Sequence, residues 1–367
     1  MNNSIFYMPT KIIMEKQVIK NHSSALCQLG KRTVIVTGKT SSKKNGSLQD
    51  LVEVLQELNI DYLIFDDVEE NPSFETVEKI SVLGRENHID FLIGLGGGSP
   101  IDAAKAAAVL IKNASSTIED LTLAPMLGAL PLVAIPTTAG TGTEVTPYAI
   151  LTNHKLQTKH GISQKVFPIL ALLDPSYLMD TPKEVTINTA IDALCHLIEG
   201  YLSASTNIFS DGLAEKGLKL FGECINEIEK DVLEFNIRET LLIVSSIAGI
   251  VITQAGTSLP HGMGYALTYN KGVPHGKATG VFLKSYMNFC SDKAKVRNIL
   301  TLLNFDSLDD FGIYLQRVLG EPIALSDEEL YNFAAAMSNN KAKLKNHPAE
   351  VTADDILDIY RSSLGRI

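Results

Sequence analysis

The sequence contains no tryptophan and only four cysteines in 367 residues. The cysteines lie far apart and form no CxxC pair; they are Cys27, Cys195, Cys224 and Cys290. This spacing does not indicate a disulfide framework, and it is typical of a protein from a reducing compartment. We therefore expect a cytoplasmic location.

Excess positive charge and long apolar runs are also lacking. Lysine and arginine total 32 against 42 aspartates and glutamates, for a formal net charge of -10, which argues against nucleic-acid and anionic-membrane partners. We find no uninterrupted apolar run of about 18 residues, the length that would predict a membrane span. The N-terminus also lacks the charged-then-apolar pattern of a secretory signal.

Two structural regions are predicted from the order of apolar patterns. Strands are predicted at residues 33–36, 62–65, 90–95, 131–136 and 168–174. They are separated by helical patterns, and this alternation favours a parallel sheet. Helical periodicity dominates from Thr181 onward. We therefore predict an α/β dinucleotide-binding domain over residues 1–180 and an all-helical domain over 181–367.

A glycine-rich turn over residues 94–102 follows one predicted strand and opens a helix. We predict Ser99 as the N-cap of this helix and Asp102 in its first turn. Glycines ahead of a helix N-terminus let a pyrophosphate approach backbone N–H groups. The spacing is not GxGxxG, so the turn alone could be merely tight. Together with Thr137 and Thr138 after the next strand, it predicts a dinucleotide site.

The end of the first predicted strand bears on the choice of nucleotide. A carboxylate there would bond the ribose 2′-hydroxyl of NAD and repel the 2′-phosphate of NADP. This sequence has Gly38 instead, followed by Ser41, Lys43 and Lys44. We therefore predict a preference for NADP(H) over NAD(H); the alternative is a solvated basic loop without a ligand.

Four side chains form a candidate metal site. Asp192 and His196 are four residues apart, so on a helix they project from one face. His261 and His275 each stand between proline and glycine in the sequence. One carboxylate and three imidazoles suit a divalent transition metal. The spacing of the two later histidines is not a standard zinc pattern, and the first pair could simply lie on the surface.

Five motifs taken in order carry a family resemblance. They are residues 96–105 (GGGSPIDAAK), 136–144 (PTTAGTGTE), 192–196 (DALCH), 261–262 (HG) and 274–276 (PHG). The sequence resembles the iron-containing (group III) alcohol dehydrogenases over nearly its whole length. The resemblance implies a dehydroquinate synthase-like fold with a cleft between an α/β and an all-helical domain. It also implies a homodimer.

The resemblance assigns roles residue by residue. It implies that the metal ligands, which are also catalytic, are Asp192, His196, His261 and His275. The cofactor-contacting positions that it implies are Asn71, Gly97, Gly98, Ser99, Thr137, Thr138, Thr141 and Lys159. Further candidate cofactor contacts are Gly38 and Ser41 at the first strand end and Asp102 in the helix after the glycine-rich turn.

One position departs from the family pattern. Many members have another histidine four residues after the third ligand, where this sequence has Tyr265. We consider Tyr265 a candidate for proton transfer through its hydroxyl. The alternative is that its ring only shapes the pocket.

The resemblance implies a metal-dependent, NAD(P)-linked alcohol dehydrogenase and aldehyde reductase for small primary alcohols, diols or their aldehydes. The expected metal is Fe²⁺, with Zn²⁺ or another divalent ion as alternatives. The main alternative function is a non-redox lyase of the dehydroquinate synthase type, which would need clustered cations that residues 181–280 lack. A cofactor-free metallohydrolase and an inactive nucleotide-binding protein are further alternatives.

Overall fold

The structure is a computed structural model that describes residues 4–123, 125–155 and 158–366, without the side chains of His160 and Arg366. The chain divides into two compact units. The first is Met8–Pro182. The second begins at Lys183 and includes the described N-terminal residues 4–7.

The first unit is built on a six-stranded parallel sheet with the order β1-β8-β5-β4-β2-β3. Its strands are β1 (Lys11–Met14), β2 (Arg32–Gly38), β3 (Asp61–Val68), β4 (Phe91–Gly96), β5 (Leu132–Pro136) and β8 (Leu170–Leu173). A separate antiparallel hairpin joins β6 (Ile150–Asn153) and β7 (Thr158–Gly161). The five predicted strands and their parallel arrangement are confirmed. Strand β1 and the hairpin were not predicted, because each strand has only four residues.

Helices cover this sheet. They are α1 (Val18–Asn21), α2 (Ser24–Cys27), α3 (Ser41–Lys44), α4 (Ser47–Glu57), α5 (Phe74–Glu86) and α6 (Gly98–Lys112). Two apolar clusters form the core, one containing α5 and α6 and the other α1 and α4. Strands β4 and β5 are buried at every residue because they lie between both clusters. The two strands pair in parallel, so their carboxyl ends lie side by side.

The predicted start of helix α6 is wrong by two residues. The N-cap is Gly97, in an extended conformation (φ -71°, ψ -167°), rather than Ser99. Ser99 is the second helical residue and Asp102 the fifth. The Ser99 hydroxyl is engaged elsewhere, since its Oγ accepts the Asn71 N–H at 3.0 Å. The first helical N–H groups thus belong to Gly98 and Ser99, directly after the glycine run.

The second unit is helical, as predicted. Its helices are α7 (Lys183–Tyr201), α8 (Ile208–Gly222), α9 (Ile225–Lys230), α10 (Phe235–Ala255), α11 (Leu259–Lys271), α12 (His275–Gly280), α13 (Leu283–Phe289), α14 (Lys293–Leu302), α15 (Leu308–Leu319), α16 (Asp327–Ser338), α17 (Lys341–Leu344) and α18 (Ala353–Ser363). Two short strands, β9 (Ala324–Leu325) and β10 (Gly365–Arg366), pair in parallel.

Helix α10 is the central element of this unit. It packs against both α7 and α8. Among the described residues it is the one helix whose length and composition would allow it to cross a membrane, yet 61% of its most apolar 18-residue window is buried within the chain. Burial to this extent is typical of a helix in the core of a globular protein.

Candidate metal centre and dinucleotide site

Helix α7 supplies the first part of the candidate metal centre. Its residues from Ala190 to Tyr201 are all buried, and Asp192 and His196 lie among them. Asp192 is 3% exposed and His196 is 6% exposed. A carboxylate buried on a helix with apolar neighbours is costly unless a partner satisfies it. The alternative of a surface pair is therefore wrong.

Helices α11 and α12 bring two further imidazoles to Asp192. Its Oδ1 lies 3.3 Å from Nε2 of His261 and 3.7 Å from Nε2 of His275. One donor atom from each of these three residues falls within 4.8 Å of the others. The side chain of His261 is 3% exposed and that of His275 is 26% exposed, so the site opens on the His275 side.

The donor atoms fit a divalent metal ion. Oδ1 of Asp192 and Nε2 of His261 are both buried, and neither has a hydrogen-bond partner among the described residues. Buried polar atoms are nearly always paired, so two of them facing each other indicate that a shared partner belongs between them. Nitrogen and carboxylate donors with an open side suit iron(II) and do not exclude zinc.

His196 adjoins this group without joining it. Its ring stacks on that of His261, with 4.5 Å between the centroids and 17° between the planes. It is not one of the three residues whose possible metal-ligating atoms all lie within 4.8 Å of one another. Its Nδ1 is also buried without a hydrogen-bond partner among the described residues. The prediction that His196 is a fourth ligand stays a prediction.

Glu199 is a functional residue that the sequence analysis missed. It is fully buried, and its Oε2 contacts Nδ1 of His261. Its Oε1 accepts the Ser258 N–H at 2.7 Å and the His261 N–H at 3.3 Å. A carboxylate that accepts from one ring nitrogen leaves the other nitrogen as the metal donor. Glu199 lies seven residues after Asp192 on the same helix, and this spacing was the available signal.

Burial and neighbouring charges set the ionisation of these groups. Burial would raise the pKa of Asp192, but the neighbouring histidines outweigh it and the pKa is lowered. Burial lowers the pKa of His196 to about 4, which keeps its imidazole neutral as a ligand requires. Burial acts in the same direction on His261, but Glu199 and Asp192 raise its pKa to about 9. A metal ion bound there must therefore displace a proton.

Tyr265 lies beside this group. Its ring stacks on His275, with 5.7 Å between centroids and 13° between the planes. On helix α11 it follows His261 by one turn. The ammonium of Lys343 lies 5.3 Å from the centre of the same ring. Lys343 was not identified in the sequence analysis, and the role of Tyr265 in proton transfer stays a prediction.

The candidate dinucleotide site lies in the other unit, at the carboxyl ends of β4 and β5. A Cβ built on Gly97 would lie 3.3 Å from Oγ1 of Thr138. One built on Gly98 would lie 2.8 Å from the Thr141 side chain. The glycines therefore allow a close approach between the two strand-end loops. The structure brings these four predicted residues together, at the edge where α/β sheets bind ligands.

Asn71 links three parts of this edge. Its backbone has φ of 58°, and its N–H donates to Ser99. Its side-chain Oδ1 accepts from Nζ of Lys159, and its carbonyl accepts from the Thr152 hydroxyl at 2.9 Å. Asn71, Ser99 and Lys159, all predicted cofactor positions, thus form one connected group.

Thr137 and Asp102 have different environments. The Thr137 N–H donates to the Gly96 carbonyl at 2.8 Å, while its hydroxyl oxygen is buried without a hydrogen-bond partner among the described residues. Asp102 accepts from the Thr143 hydroxyl and, at 2.9 Å, from the Ile150 N–H. Asp102 therefore ties the following loop to helix α6, and its predicted cofactor contact stays a prediction.

Gly38 ends strand β2 at this same sheet edge, beside β4. Ser41 begins helix α3 and is exposed. Lys43, one of the cations invoked for a 2′-phosphate, pairs with Asp66 at 2.5 Å. Its positive charge is thus partly balanced within the chain.

Two family models match the chain. The model for "Iron-containing alcohol dehydrogenase" covers residues 9–175, and the model for the C-terminal part of the Fe-containing alcohol dehydrogenase family covers residues 186–364. The chain belongs to the iron-containing alcohol dehydrogenase family. The family profile and the metal donors therefore agree on an oxidoreductase that uses iron and NAD(P).

Individual relatives agree with this assignment. An iron-containing alcohol dehydrogenase from Thermotoga maritima has 42% identity and a TM-score of 0.91, with 99% of each chain covered. An NADPH-dependent butanol dehydrogenase from Clostridium saccharobutylicum is 31% identical over 267 residues, 71% of this chain and 68% of the relative. A 1,3-propanediol dehydrogenase from Klebsiella pneumoniae is 30% identical over 359 residues, 92% and 93% of the two chains. The chain spans 39% of the length of the aldehyde-alcohol dehydrogenases that it matches.

These relatives support an alcohol dehydrogenase acting on alcohol or aldehyde substrates over the lyase alternative. The fold agrees as well, because the parallel-sheet unit and the helical unit match the solved iron-containing enzymes with TM-scores near 0.9. Residues 181–280, where a lyase would be expected to have clustered cations, contain few of them. Lys343 is a cation beside the site that lies outside that range.

Proposed function

We propose that the protein reduces small aldehydes with NADPH and oxidises the corresponding primary alcohols. The observation that carries the proposal is a pair of buried atoms without hydrogen-bond partners among the described residues. They are Oδ1 of Asp192 and Nε2 of His261, which lie 3.3 Å apart. The glycine-rich start of α6 and the NADPH-dependent butanol dehydrogenase relative support the cofactor.

The residues of the chain have distinct tasks in this reaction. Asp192, His261 and His275 would hold the ion, with His196 as the predicted fourth ligand. The ion, when bound, supplies a Lewis acid that polarises the oxygen of the alcohol or aldehyde. Glu199 orients the imidazole of His261. In the other unit, the N–H groups at the start of α6 are available to a pyrophosphate, so the chain contributes position and charge while the cofactor supplies the hydride chemistry.

The proposal is tested anaerobically. The purified protein is stripped of metal, reloaded with Fe²⁺ or Zn²⁺, and mixed with NADPH or NADH and either butanal or 3-hydroxypropanal. We expect oxidation of NADPH that depends on the added metal and is faster than that of NADH. Binding of metal and NADPH without reduction of any aldehyde would refute the proposed reaction.

Gly38 is expected to control the choice of nucleotide. In Gly38→Asp we expect the ratio of kcat/KM for NADPH to that for NADH to fall by about tenfold to a hundredfold, because a carboxylate at the strand end repels the 2′-phosphate and bonds the ribose hydroxyl. A Cβ at this position would lie 3.6 Å from the Val68 carbonyl oxygen, an ordinary contact, so the variant should fold. Steady-state rates with both cofactors measure the ratio.

Gly38→Ala is the matched control, since it adds the same Cβ without charge. Its ratio should stay close to that of the wild type. An unchanged ratio in Gly38→Asp, or an equal change in the alanine variant, would disprove the argument from charge.

We also propose that the protein is a homodimer. Strand β1 is an edge strand, and Ile12 within it is 38% exposed. An edge with exposed apolar residues is a template for pairing with another chain. Sedimentation equilibrium measures the mass in solution, and a monomer at micromolar concentration would contradict the proposal.

A further inference from the structure

Lys343 is a cation beside the candidate metal centre. It lies on helix α17 and is partly buried. Its side chain packs against the helix that carries His261, because a Cβ on Gly262 would lie 3.2 Å from Cγ of Lys343. Its charge lies close to the site, since Nζ is 5.3 Å from the centre of the Tyr265 ring, which stacks on His275.

The ammonium of Lys343 keeps hydrogen-bonding capacity. An ammonium has three donors, and Nζ donates to the Thr257 hydroxyl while lying 5.3 Å from the centre of the Tyr265 ring. No second hydrogen-bond acceptor for Nζ is found in the described part of the chain. A partly buried ammonium with unused donors is suited to bind an acceptor from outside the protein.

Charge also favours an anion at this position. The buried acids of the centre are Asp192 and Glu199, and together they balance one divalent ion bound by neutral imidazoles. The charge of Lys343 is then not balanced by these two acids. Burial lowers its pKa to about 8, with Glu199 acting in the opposite direction. An anionic group on a ligand would balance this charge.

We propose that Lys343 binds an anionic group at the far end of the substrate, so that the preferred substrates are short aldehydes with a terminal carboxylate or sulfonate. This assignment rests on the proposed aldehyde reductase activity. The aldehyde oxygen would face Asp192, His261 and His275. The anionic end would lie beside the Tyr265 ring, which contacts both His275 and the Lys343 ammonium.

The test compares substrates that differ mainly in their far end. Butanal and 4-oxobutanoate share a four-carbon chain, and 2-oxoethanesulfonate provides the sulfonate. With the metal-loaded enzyme, we expect Lys343→Met to lower kcat/KM for both anionic aldehydes by about tenfold to a hundredfold, mainly through KM, because a charge-assisted hydrogen bond is lost. In the same variant, kcat/KM for butanal should change by less than about threefold. Loss for one anionic aldehyde alone would identify which anion is bound.

Binding without turnover gives a second readout. Calorimetry with propane-1-sulfonate should show weaker binding to Lys343→Met than to the wild type, and Lys343→Arg should restore part of it. Lys345→Met is the matched control, because Lys345 is an exposed lysine two residues away. Metal content and melting temperature should be the same in all variants.

The outcomes separate this assignment from the proposed function. If Lys343→Met lowers kcat/KM for butanal and for 4-oxobutanoate by the same factor relative to the wild type, Lys343 has a structural role and the assignment is overturned. The same conclusion follows if the wild type binds no sulfonate and Lys343→Met reduces 4-oxobutanoate as well as the wild type does. If the metal-loaded wild type reduces no aldehyde at all, the proposed function fails and the substrate assignment fails with it.

Discussion

His261→Ala is expected to lower metal-dependent aldehyde reduction by at least about a thousandfold, because the ion that polarises the substrate oxygen contributes several kcal/mol to catalysis. His261 holds a central position: its Nε2 faces Asp192, and its Nδ1 contacts Glu199. The measurement is kcat/KM for butanal after anaerobic reloading, together with the metal bound per chain. Retention of both would show that His261 is not a ligand.

Glu199→Gln should give a smaller effect of the same kind. The amide oxygen can still accept from the His261 ring, but the negative charge that favours a metal-binding imidazole is lost. Changes to such partners typically lower metal affinity by about tenfold to a hundredfold. Competition with a chelator measures this affinity, and kcat of the fully loaded variant should fall less than in His261→Ala.

Glu215→Gln is the matched control for Glu199→Gln. Glu215 is a glutamate of helix α8 that accepts from the Tyr201 hydroxyl at 2.7 Å and from Asn298 at 3.0 Å. It should leave metal affinity unchanged. Equal losses in both variants would mean that the effect arises from general destabilisation of the helical unit rather than from Glu199.

Much of the α/β unit could be predicted because its strands are short apolar runs between glycine-rich turns. Strands β4 and β5 are buried at every residue, so their sequences contain no polar residue to obscure the pattern. Strand β1 could not be identified in this way. It has exposed residues at its start and pairs with β8, which is distant in sequence, so its partner is set by the tertiary fold.

In the candidate metal centre, too, some residues could be predicted from the sequence and others could not. Asp192 and His196 are detectable because helical spacing places them on one face. The spacing of Glu199 from Asp192 places both on one face of α7, but the contact between Glu199 and His261 depends on how α7 and α11 pack. Lys343 reaches the centre from a four-residue helix whose neighbours in sequence are exposed lysines. Sequence alone gave no reason to distinguish it from them.

The ion pairs around Gly38 could not be predicted from the sequence. Gly38, Lys43 and Lys44 predicted a site for a phosphate from local sequence alone. The structure pairs Lys43 with Asp66 and Lys39 with Asp67, and both aspartates belong to strand β3. The absence of a carboxylate at Gly38, rather than the surplus of lysines, is therefore the sequence feature on which the proposed preference for NADP(H) rests.

Gly276→Ala is expected to destabilise the helical unit by about 3 kcal/mol or more and to abolish metal binding, since overpacking that forces backbone shifts is among the costlier substitutions. A Cβ at this position would lie 1.7 Å from the carbonyl oxygen of Asn188, an impossible separation that only movement of the backbone can relieve. The side-chain oxygen of Asn188 also accepts the Lys277 N–H at 3.1 Å, so a hydrogen bond next to this contact holds α12 against α7. Any shift there moves His275, the adjacent residue, away from Asp192.

The urea midpoint and the metal content of Gly276→Ala are compared with those of Gly212→Ala. Gly212 also lies inside a helix, but a Cβ there would meet nothing within 4 Å. Because alanine favours a helix over glycine, this control should gain about 0.5 to 1 kcal/mol. The two variants add the same methyl group with opposite expected signs, so the difference isolates the contact between α12 and α7. If Gly276→Ala kept its midpoint and its metal, the close packing that positions His275 would not be needed to form the centre.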